Sequence, residues 1–231
     1  MLKKNVKRLQ NLFHDFVYQE FEEVVFRKAL AAESFKVKNS EVRAVEGDAR
    51  QIDDFLASDS YLKRYRSRAT NYLQNNFRVT MAMLNNKPIG FVWWTDSQAE
   101  APECVHPHVE RFGIELGEKE VYGFDLQILP QNQGDNVAGD FFHLYKMQLL
   151  SMGYQTVWGC AEKDNLPAMW LHRMQRHEVV RTITSQKILG RFLRSDLNGG
   201  AWYLKNSATD QHHIDFRRIS HVANTESAAT N

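Results

Sequence analysis

The chain has 231 residues, carries a formal net charge of +1, and is 43% hydrophobic and 12% aromatic. This composition supplies a buried core and excludes a chain that is disordered throughout. The near-zero charge excludes a general electrostatic attraction to nucleic acid, and two cysteines, Cys104 and Cys160, are too few for a disulfide framework. No apolar run approaches the ~20 residues of a membrane-spanning helix. We therefore expect a cytoplasmic globular protein without a nucleic-acid partner.

The N-terminal residues 2–21 predict an amphipathic helix, because apolar side chains recur every three or four positions between Leu2 and Val17. Four cations crowd its start. Such a helix either packs on the domain or makes peripheral contact with an anionic membrane. Residues 22–30 extend the helix or form a strand, and residues 35–39 predict a linker. Residues 1–40 are therefore expected to form an N-terminal helix and linker.

Residues 41–119 predict two helices among three strands and a long loop. Residues 41–46 alternate as a strand, Asp48 is placed to cap a helix through Leu56, and residues 61–73 predict a second helix. Strands at 77–84 and 89–94 flank the turn 85–88 and form a hairpin. Residues 96–119 predict a loop. It carries Cys104, His106 and His108, which are too close together for a usual tetrahedral metal site, so no metal is expected.

The stretch from residue 121 to residue 142 is the centre of the pattern. An apolar strand ends at Pro130, a polar glycine-bearing loop follows, and a helical pattern begins around Phe141. A loop that leads into a helix N-terminus directs backbone N–H groups and the positive end of the helix dipole toward one place, so the junction can hold a pyrophosphate. An ordinary strand-to-helix connection has the same spacing.

After this centre, Gly153 is predicted to end the helix. A buried strand at 154–160, a helix capped at Asp164 or Asn165 that runs through Met174, and strands at 179–189, 190–193 and 201–204 follow. Residues 41–205 are expected to form one α/β domain, a mixed sheet of six or seven strands flanked by helices. Residues 206–231 are polar and are expected to be a flexible tail.

Two motifs in this order resemble a known family. The run Leu129-Pro130-x-x-Gln133-Gly134-x-Asn136-x-Ala138 resembles the acyl-CoA loop of the GNAT N-acyltransferase superfamily. The run Asn165-x-x-Ala168-x-x-Leu171-His172 is similar to the second signature of that family, which ends in Leu-Tyr. Together with the leading segment, the chain resembles members linked to polysaccharide and cell-envelope biosynthesis.

The resemblance implies a GNAT-like fold whose strands 120–129 and 154–160 splay at one end to admit the pantetheine arm of acetyl-CoA or another acyl-CoA. It assigns coenzyme contacts to the end of the first strand, to the loop and to the second motif: Gln127, Ile128, Leu129, Gln133, Gly134, Asp135, Asn136, Val137, Ala138, Asn165 and Ala168.

The same resemblance places the proton donor at His172, where the family has tyrosine, with Tyr145 and Tyr122 as alternatives. Histidine donates protons near neutral pH. The base is expected among Glu118, Glu120 and Asp125, since Asp125 is a carboxylate in an apolar strand. Cys160 has no base at motif spacing, and packing is the simpler interpretation.

The predicted function is transfer of an acyl group to a primary amine of a small molecule or sugar, by a monomer or a homodimer. The sequence departs from the family at Asn136, at His172 and at Arg176-His177, where Gly, Tyr and Gly-Phe are usual. A degenerate protein that binds an acyl thioester, an acyl carrier or a protein partner without catalysis is therefore the alternative.

Overall fold

The computed structural model describes residues 18–32, 37–97, 106–188, 192–195 and 201–204. Nine strands of these residues form one sheet: β1 Tyr18–Ala29, β2 Val42–Gly47, β3 Arg78–Leu84, β4 Lys87–Asp96, β5 Glu120–Ile128, β6 Thr156–Glu162, β7 Glu178–Ile188, β8 Phe192–Ser195 and β9 Ala201–Leu204. The helices are α1 Ala49–Ser58, α2 Arg66–Gln74, α3 Pro107–Arg111, α4 Val137–Ser151 and α5 Leu166–Met174, with short 3₁₀ turns at Lys63–Tyr65 and Pro130–Asn132.

The strand order is β2-β3-β4-β5-β6-β1-β7-β8-β9. Only the pair β5–β6 is parallel, and the other neighbouring strands of the described sheet pair antiparallel. The predicted α/β class with a mixed sheet is confirmed. The sheet also contains β1, which the sequence did not place in the α/β domain, whereas the four-residue strands β8 and β9 overlap the predicted strands 190–193 and 201–204.

The predicted helix over residues 2–21 is wrong for residues 18–21, which belong to β1; residues 2–17 lie outside the described residues. β1 lies between β6 and β7 and pairs with both. Its neighbouring residues Val24, Val25 and Phe26 are all buried, because Val25 packs on one face of the sheet and the other two on the opposite face. The sheet therefore begins before residue 41, the expected start of the α/β domain, while the tail from residue 206 is outside the description.

Helices cover both faces of the sheet. Side chains of α1, α2 and α3 share one apolar cluster with Phe91, Phe124 and Trp158. Side chains of α4, including Phe141, share a second cluster on the opposite face. The space between β5 and β6 therefore faces α2 on one side of the sheet and α4 and α5 on the other.

Local sequence signals fix several connections. Asp48 caps α1 and forms a capping box with Gln51, and Asn85 and Asn86 turn the β3–β4 hairpin with φ of 51° and 62°. The predicted loop 96–119 contains α3, which was not expected; its apolar residues Val109 and Phe112 pack into the α1–α2 cluster. Residues 98–105, including Cys104, lie outside the description.

Candidate functional site: the split between strands β5 and β6

The strands β5 and β6 pair over only three residues. The pairs begin at Glu120 with Thr156 and end at Tyr122 with Trp158, although β5 continues to Ile128 and β6 continues to Glu162. The predicted splaying of strands 120–129 and 154–160 is therefore confirmed. Beyond the last pair, the facing edges of the two strands make no ladder with each other, so their backbone groups are open to an extended ligand that adds like a strand.

A β-bulge lies on the β5 side of this split. Trp93 pairs with Phe124, but the next pair joins Phe91 to Gln127, so β5 holds one extra residue. Asp125 occupies the bulge with a φ of 47°, a left-handed conformation that is uncommon for a non-glycine residue. The bulge directs its carboxylate toward α2, where Tyr72 Oη donates to it at 2.8 Å and Arg68 Nη1 donates at 3.0 Å.

The predicted coenzyme loop follows β5 as expected. The side chain of Gln133 donates to the carbonyl oxygen of Ile128 at 2.8 Å, so it closes the loop onto the strand. Gly134 has a φ of 152°, and Asp135 and Asn136 have φ of 43° and 63°. Asn136, directly before α4, thus adopts the positive φ that glycine usually supplies at this position of the family's loop.

The N-terminus of α4 faces an open cleft of about 580 Å³. The amides of Ala138 and Gly139 donate to no backbone acceptor among the described residues, as is usual for the first turn of a helix. The buried carboxylate of Asp140 accepts from Asn136 Nδ2 and from the amides of Lys38 and Asn39. The cleft is lined by Lys38, Asn39, Ser40, Glu41, Asp135 and Asn136.

Charges in this cleft oppose one another. Lys38 and the helix dipole favour a bound anion, whereas the carboxylates of Asp135 and Glu41 disfavour one. The sequence did not predict that residues 38–41 would reach the loop. This approach depends on the contact between the Asp140 carboxylate and two backbone amides distant in the chain.

The second motif borders the other wall of the split. Asn165 caps α5 and its Oδ1 accepts from the amide of Ala168 at 3.2 Å. Asn165 precedes the helix, whereas His172 lies within it. Arg176 takes a φ of 53° just after α5, and so adopts the conformation that favours glycine there.

His172 lies beside the split but is neutral. It is 8% exposed, stacks on Phe26 with ring centroids 4.1 Å apart, and has its Nδ1 3.0 Å from Nδ1 of His177. Burial, with a smaller effect from Lys146, lowers the pKa of His172 to about 4. A general acid works best with a pKa near the working pH, so this lowered pKa does not support the predicted proton donation by His172.

The apex of the split is flanked by two glycines, one on each strand directly after the last pair. A methyl group on Gly123 would lie 3.0 Å from the Tyr145 hydroxyl, and one on Gly159 would lie 3.3 Å from Cε1 of His172. Tyr145 and His172, from α4 and α5, therefore fill the space that side chains at these glycines would take.

On the opposite side of the apex, toward α2 and α3, three polar groups form a chain. Tyr122 Oη lies 3.1 Å from Cys160 Sγ and 3.3 Å from Nδ1 of His108. Burial raises the pKa of the Cys160 thiol to about 12, so the thiol stays protonated. From the sequence, His108 was treated only as a possible metal ligand. No local pattern in the sequence indicates that His108, Tyr122 and Cys160 come together. Among the described residues, no group of three or more His, Cys, Asp or Glu side chains is arranged to hold a metal ion.

The predicted bases separate in the structure. Asp125 lies three residues beyond the last β5–β6 pair. Glu120 lies before the split and accepts from Trp158 Nε1 at 3.0 Å, so it braces the paired part of the strands. Glu118 is exposed in the turn before β5. Asp125 alone of the three lies on the diverging part of the strand.

No helix among the described residues is both long and apolar enough to cross a membrane. No protein-family profile matches the chain, and no curated protein matches it by sequence.

Solved structures resemble it in fold. One is a GCN5-related glucosamine N-acetyltransferase region of a fungal multi-domain GH3 β-N-acetylglucosaminidase, with a TM-score of 0.55, 9% identity, and coverage of 76% of this chain and 22% of that chain. Another is an acetyltransferase of the GNAT family from Colwellia psychrerythraea, with a TM-score of 0.51, 9% identity, and coverage of 78% and 60%. This chain therefore spans about a fifth of the first and three fifths of the second. The split sheet, the loop at the start of α4 and these likenesses agree that the chain has a GNAT-like fold.

Proposed function

We propose that the protein transfers an acyl group from acetyl-CoA or another acyl-CoA to a primary amine of a small molecule or sugar. One observation carries the proposal: β5 and β6 separate after three pairs, and the wide end of the split leads to the loop at the start of α4. An extended pantetheine arm that carries a phosphate at one end and a thioester at the other fits this combination.

In this proposal the arm lies between the diverging strands. The backbone of Gln127, Ile128 and Leu129 borders it on one wall, and Asn165 and Ala168 border it on the other. The loop from Gln133 to Ala138 receives the pyrophosphate beside Lys38. The thioester then reaches the apex near Gly123 and Gly159.

The acceptor amine approaches from the α2 side, where Asp125 lies. Its carboxylate accepts from Tyr72 and Arg68 and, in this proposal, accepts a further hydrogen bond from the amine. The fungal protein with the similar fold is named a glucosamine N-acetyltransferase, which makes an amino sugar the first acceptor to test. A link to polysaccharide or cell-envelope biosynthesis is part of this proposal.

Titration calorimetry with acetyl-CoA tests the proposal directly. Asn136→Gly keeps the positive φ of the loop and is expected to bind acetyl-CoA as the wild type does. Asn136→Val disfavours that φ and is expected to weaken binding by about tenfold. Absence of binding to the wild type at millimolar concentration would contradict the proposal. Release of CoA in the presence of glucosamine would then test turnover.

A second candidate is a non-catalytic protein that binds an acyl thioester, an acyl carrier or a protein partner. The carboxylates of Asp135 and Glu41 at the cleft and the neutral, buried His172 favour it. Binding of acetyl-CoA without CoA release, across a panel of amino sugars and other primary amines, would select this candidate. A cytoplasmic location, a homodimer and membrane contact through residues 2–21 stay predictions.

A further inference from the structure

Arg64 is an exposed arginine in the 3₁₀ turn before α2, on the side of the sheet that faces the proposed acceptor. The two arginines that follow it are neutralised. Arg66 donates to both oxygens of Asp53, at 2.9 and 3.0 Å, and Arg68 donates to Asp125. No carboxylate of the described residues forms an ion pair with Arg64, so its charge is available to a ligand.

Two tyrosine rings hold the guanidinium of Arg64 in place. Its central carbon lies 4.2 Å from the centroid of the Tyr61 ring and 4.9 Å from that of the Tyr65 ring. The Tyr61 hydroxyl donates to Oε1 of Gln127 on β5 at 3.4 Å. Tyr65 makes a T-shaped contact with the buried ring of Phe91. Since these contacts already restrict the arginine, binding of a ligand costs less side-chain entropy than it would at a freely rotating arginine.

The same tyrosines connect this cation to the carboxylate proposed for the amine. The guanidinium carbon of Arg68 lies 6.0 Å from the centroid of the Tyr65 ring, and Arg68 binds the carboxylate of Asp125 at 3.0 Å. The Tyr65 ring therefore contacts both guanidinium groups. The resulting surface follows β5 and has an uncompensated cation, Arg64, at one end and Asp125 at the other.

This inference rests on the proposed acyl transfer and narrows its acceptor. We propose that Arg64 binds a phosphate group of the acceptor, so that the acceptor is a phosphorylated amino sugar. The planar guanidinium presents parallel N–H donors to two phosphate oxygens. Lys63 is exposed and also forms no ion pair with a carboxylate of the described residues, so it adds positive potential at this end. A phosphate monoester carries about two negative charges at neutral pH and matches two cations better than a carboxylate does.

The coenzyme is the other phosphate-bearing ligand of the proposed function. Its pyrophosphate is assigned to the loop at the start of α4, and α4 packs on the face of the sheet opposite to α1 and α2. Arg64 belongs to the α2 face. Its charge should therefore affect the acceptor and leave the affinity for acetyl-CoA unchanged, which separates the two ligands experimentally.

Arg64→Gln removes the charge and keeps a polar side chain. Titration calorimetry in the presence of excess CoA compares glucosamine with glucosamine 6-phosphate and with glucosamine 1-phosphate. We expect the wild type to bind at least one phosphorylated sugar about tenfold more tightly than glucosamine, the range of hydrogen bonds to a charged group. Arg64→Gln should lose this preference and keep the wild-type affinities for glucosamine and for acetyl-CoA.

Arg66→Gln is the matched control. It removes the same charge two residues away, from an arginine that binds Asp53 on α1, and it should keep the preference for the phosphorylated sugar. A measured turnover adds a second readout. Because the phosphate is remote from the reacting amine, Arg64→Gln should raise KM for the phosphorylated sugar with little change in kcat.

Each outcome decides something. If the wild type binds glucosamine as tightly as both phosphorylated sugars, or binds none of the three, the inference is wrong, whereas binding of acetyl-CoA still supports the proposed function. The inference is also wrong if Arg64→Gln keeps the preference or weakens acetyl-CoA binding instead. If the wild type does not bind acetyl-CoA, the proposed function fails and this inference fails with it.

A measurement on the wild type alone covers the case in which the variant does not fold. Raising the ionic strength from about 0.01 M to about 0.15 M shortens the Debye length from about 30 Å to about 8 Å. We expect the preference for the phosphorylated sugar to shrink severalfold over this range, because it depends on an exposed charge. A preference that does not change with salt would overturn the inference.

Discussion

The two buried histidines His172, in α5, and His177, just before β7, predict a loss of stability in mild acid. Burial is the main cause that lowers the pKa of His172 to about 4 and that of His177 to about 2. In the unfolded chain both rings titrate near 6.5. Between these values the unfolded state binds more protons than the folded state, so the stability contributed by the neutral rings is complete above pH 6.5 and is lost as the pH falls toward 4.

The magnitude follows from the two lowered pKa values. At about pH 5 each ring favours the unfolded state by about 2 kcal/mol relative to neutral pH, and the pair by about 4 kcal/mol. A domain of this size has a total stability of about 5–15 kcal/mol, so the effect is a large fraction of the whole. Urea unfolding at about pH 8 and at about pH 5 measures it.

The double variant His172→Phe/His177→Phe removes both titrations and keeps aromatic packing on Phe26 and Phe142. Lowering the pH from about 8 to about 5 decreases the free energy of unfolding of each protein, and we expect this decrease to be about 4 kcal/mol smaller in the double variant than in the wild type. Phe142→Leu is the control, because it perturbs the same packing without a titrating group and should lower stability equally at both pH values. Equal losses in the wild type and the double variant would refute the reasoning.

Three further predictions concern charges at or near the split. Arg111 donates to both oxygens of the buried Glu23 carboxylate, so Arg111→Met should lower the free energy of unfolding by about 3–5 kcal/mol in urea unfolding. The double variant Glu23→Gln/Arg111→Met should recover part of this loss. If the double variant loses as much stability as Arg111→Met, the loss does not depend on the unpaired Glu23 charge. Asp135→Asn should tighten acetyl-CoA binding about fivefold at low salt, because it removes about 1 kcal/mol of repulsion between the carboxylate and a pyrophosphate about 8 Å away in water. An unchanged affinity in calorimetry would argue against a phosphate at this loop. Asp125→Val should be about 1–2 kcal/mol less stable than Asp125→Asn in thermal unfolding, because both remove the charge but only asparagine suits a φ of 47°; equal stability would argue against the bulge.

The loop between β5 and α4 could be predicted because its signals are local. Pro130 ends the strand, Gly134 and Asn136 take positive φ, and the helix follows at once. The divergence of β5 from β6 could be predicted only through the family resemblance, since nothing in either strand alone marks where pairing stops.

The position of β1 could not be predicted from local pattern. A short apolar run such as Val24 to Phe26 fits a strand buried on both faces as well as a helix segment, and its pairing partners lie far away in the chain. The environment of His172 could not be predicted for the same reason. Its helix was predicted, but Phe26, which stacks on the His172 ring, belongs to β1.

The split persists because each of its walls is paired on its outer edge. β5 pairs with β4 from Val121 to Ile128, and β6 pairs with β1 along its whole length, from Thr156 to Glu162. β1 also joins the two faces of the sheet, since Phe26 stacks on the α5 side and Glu23 binds α3 on the other. Two strands held in this way can leave their inner edges unpaired without either becoming a free edge of the sheet, and those edges are the surface that an extended arm would complete.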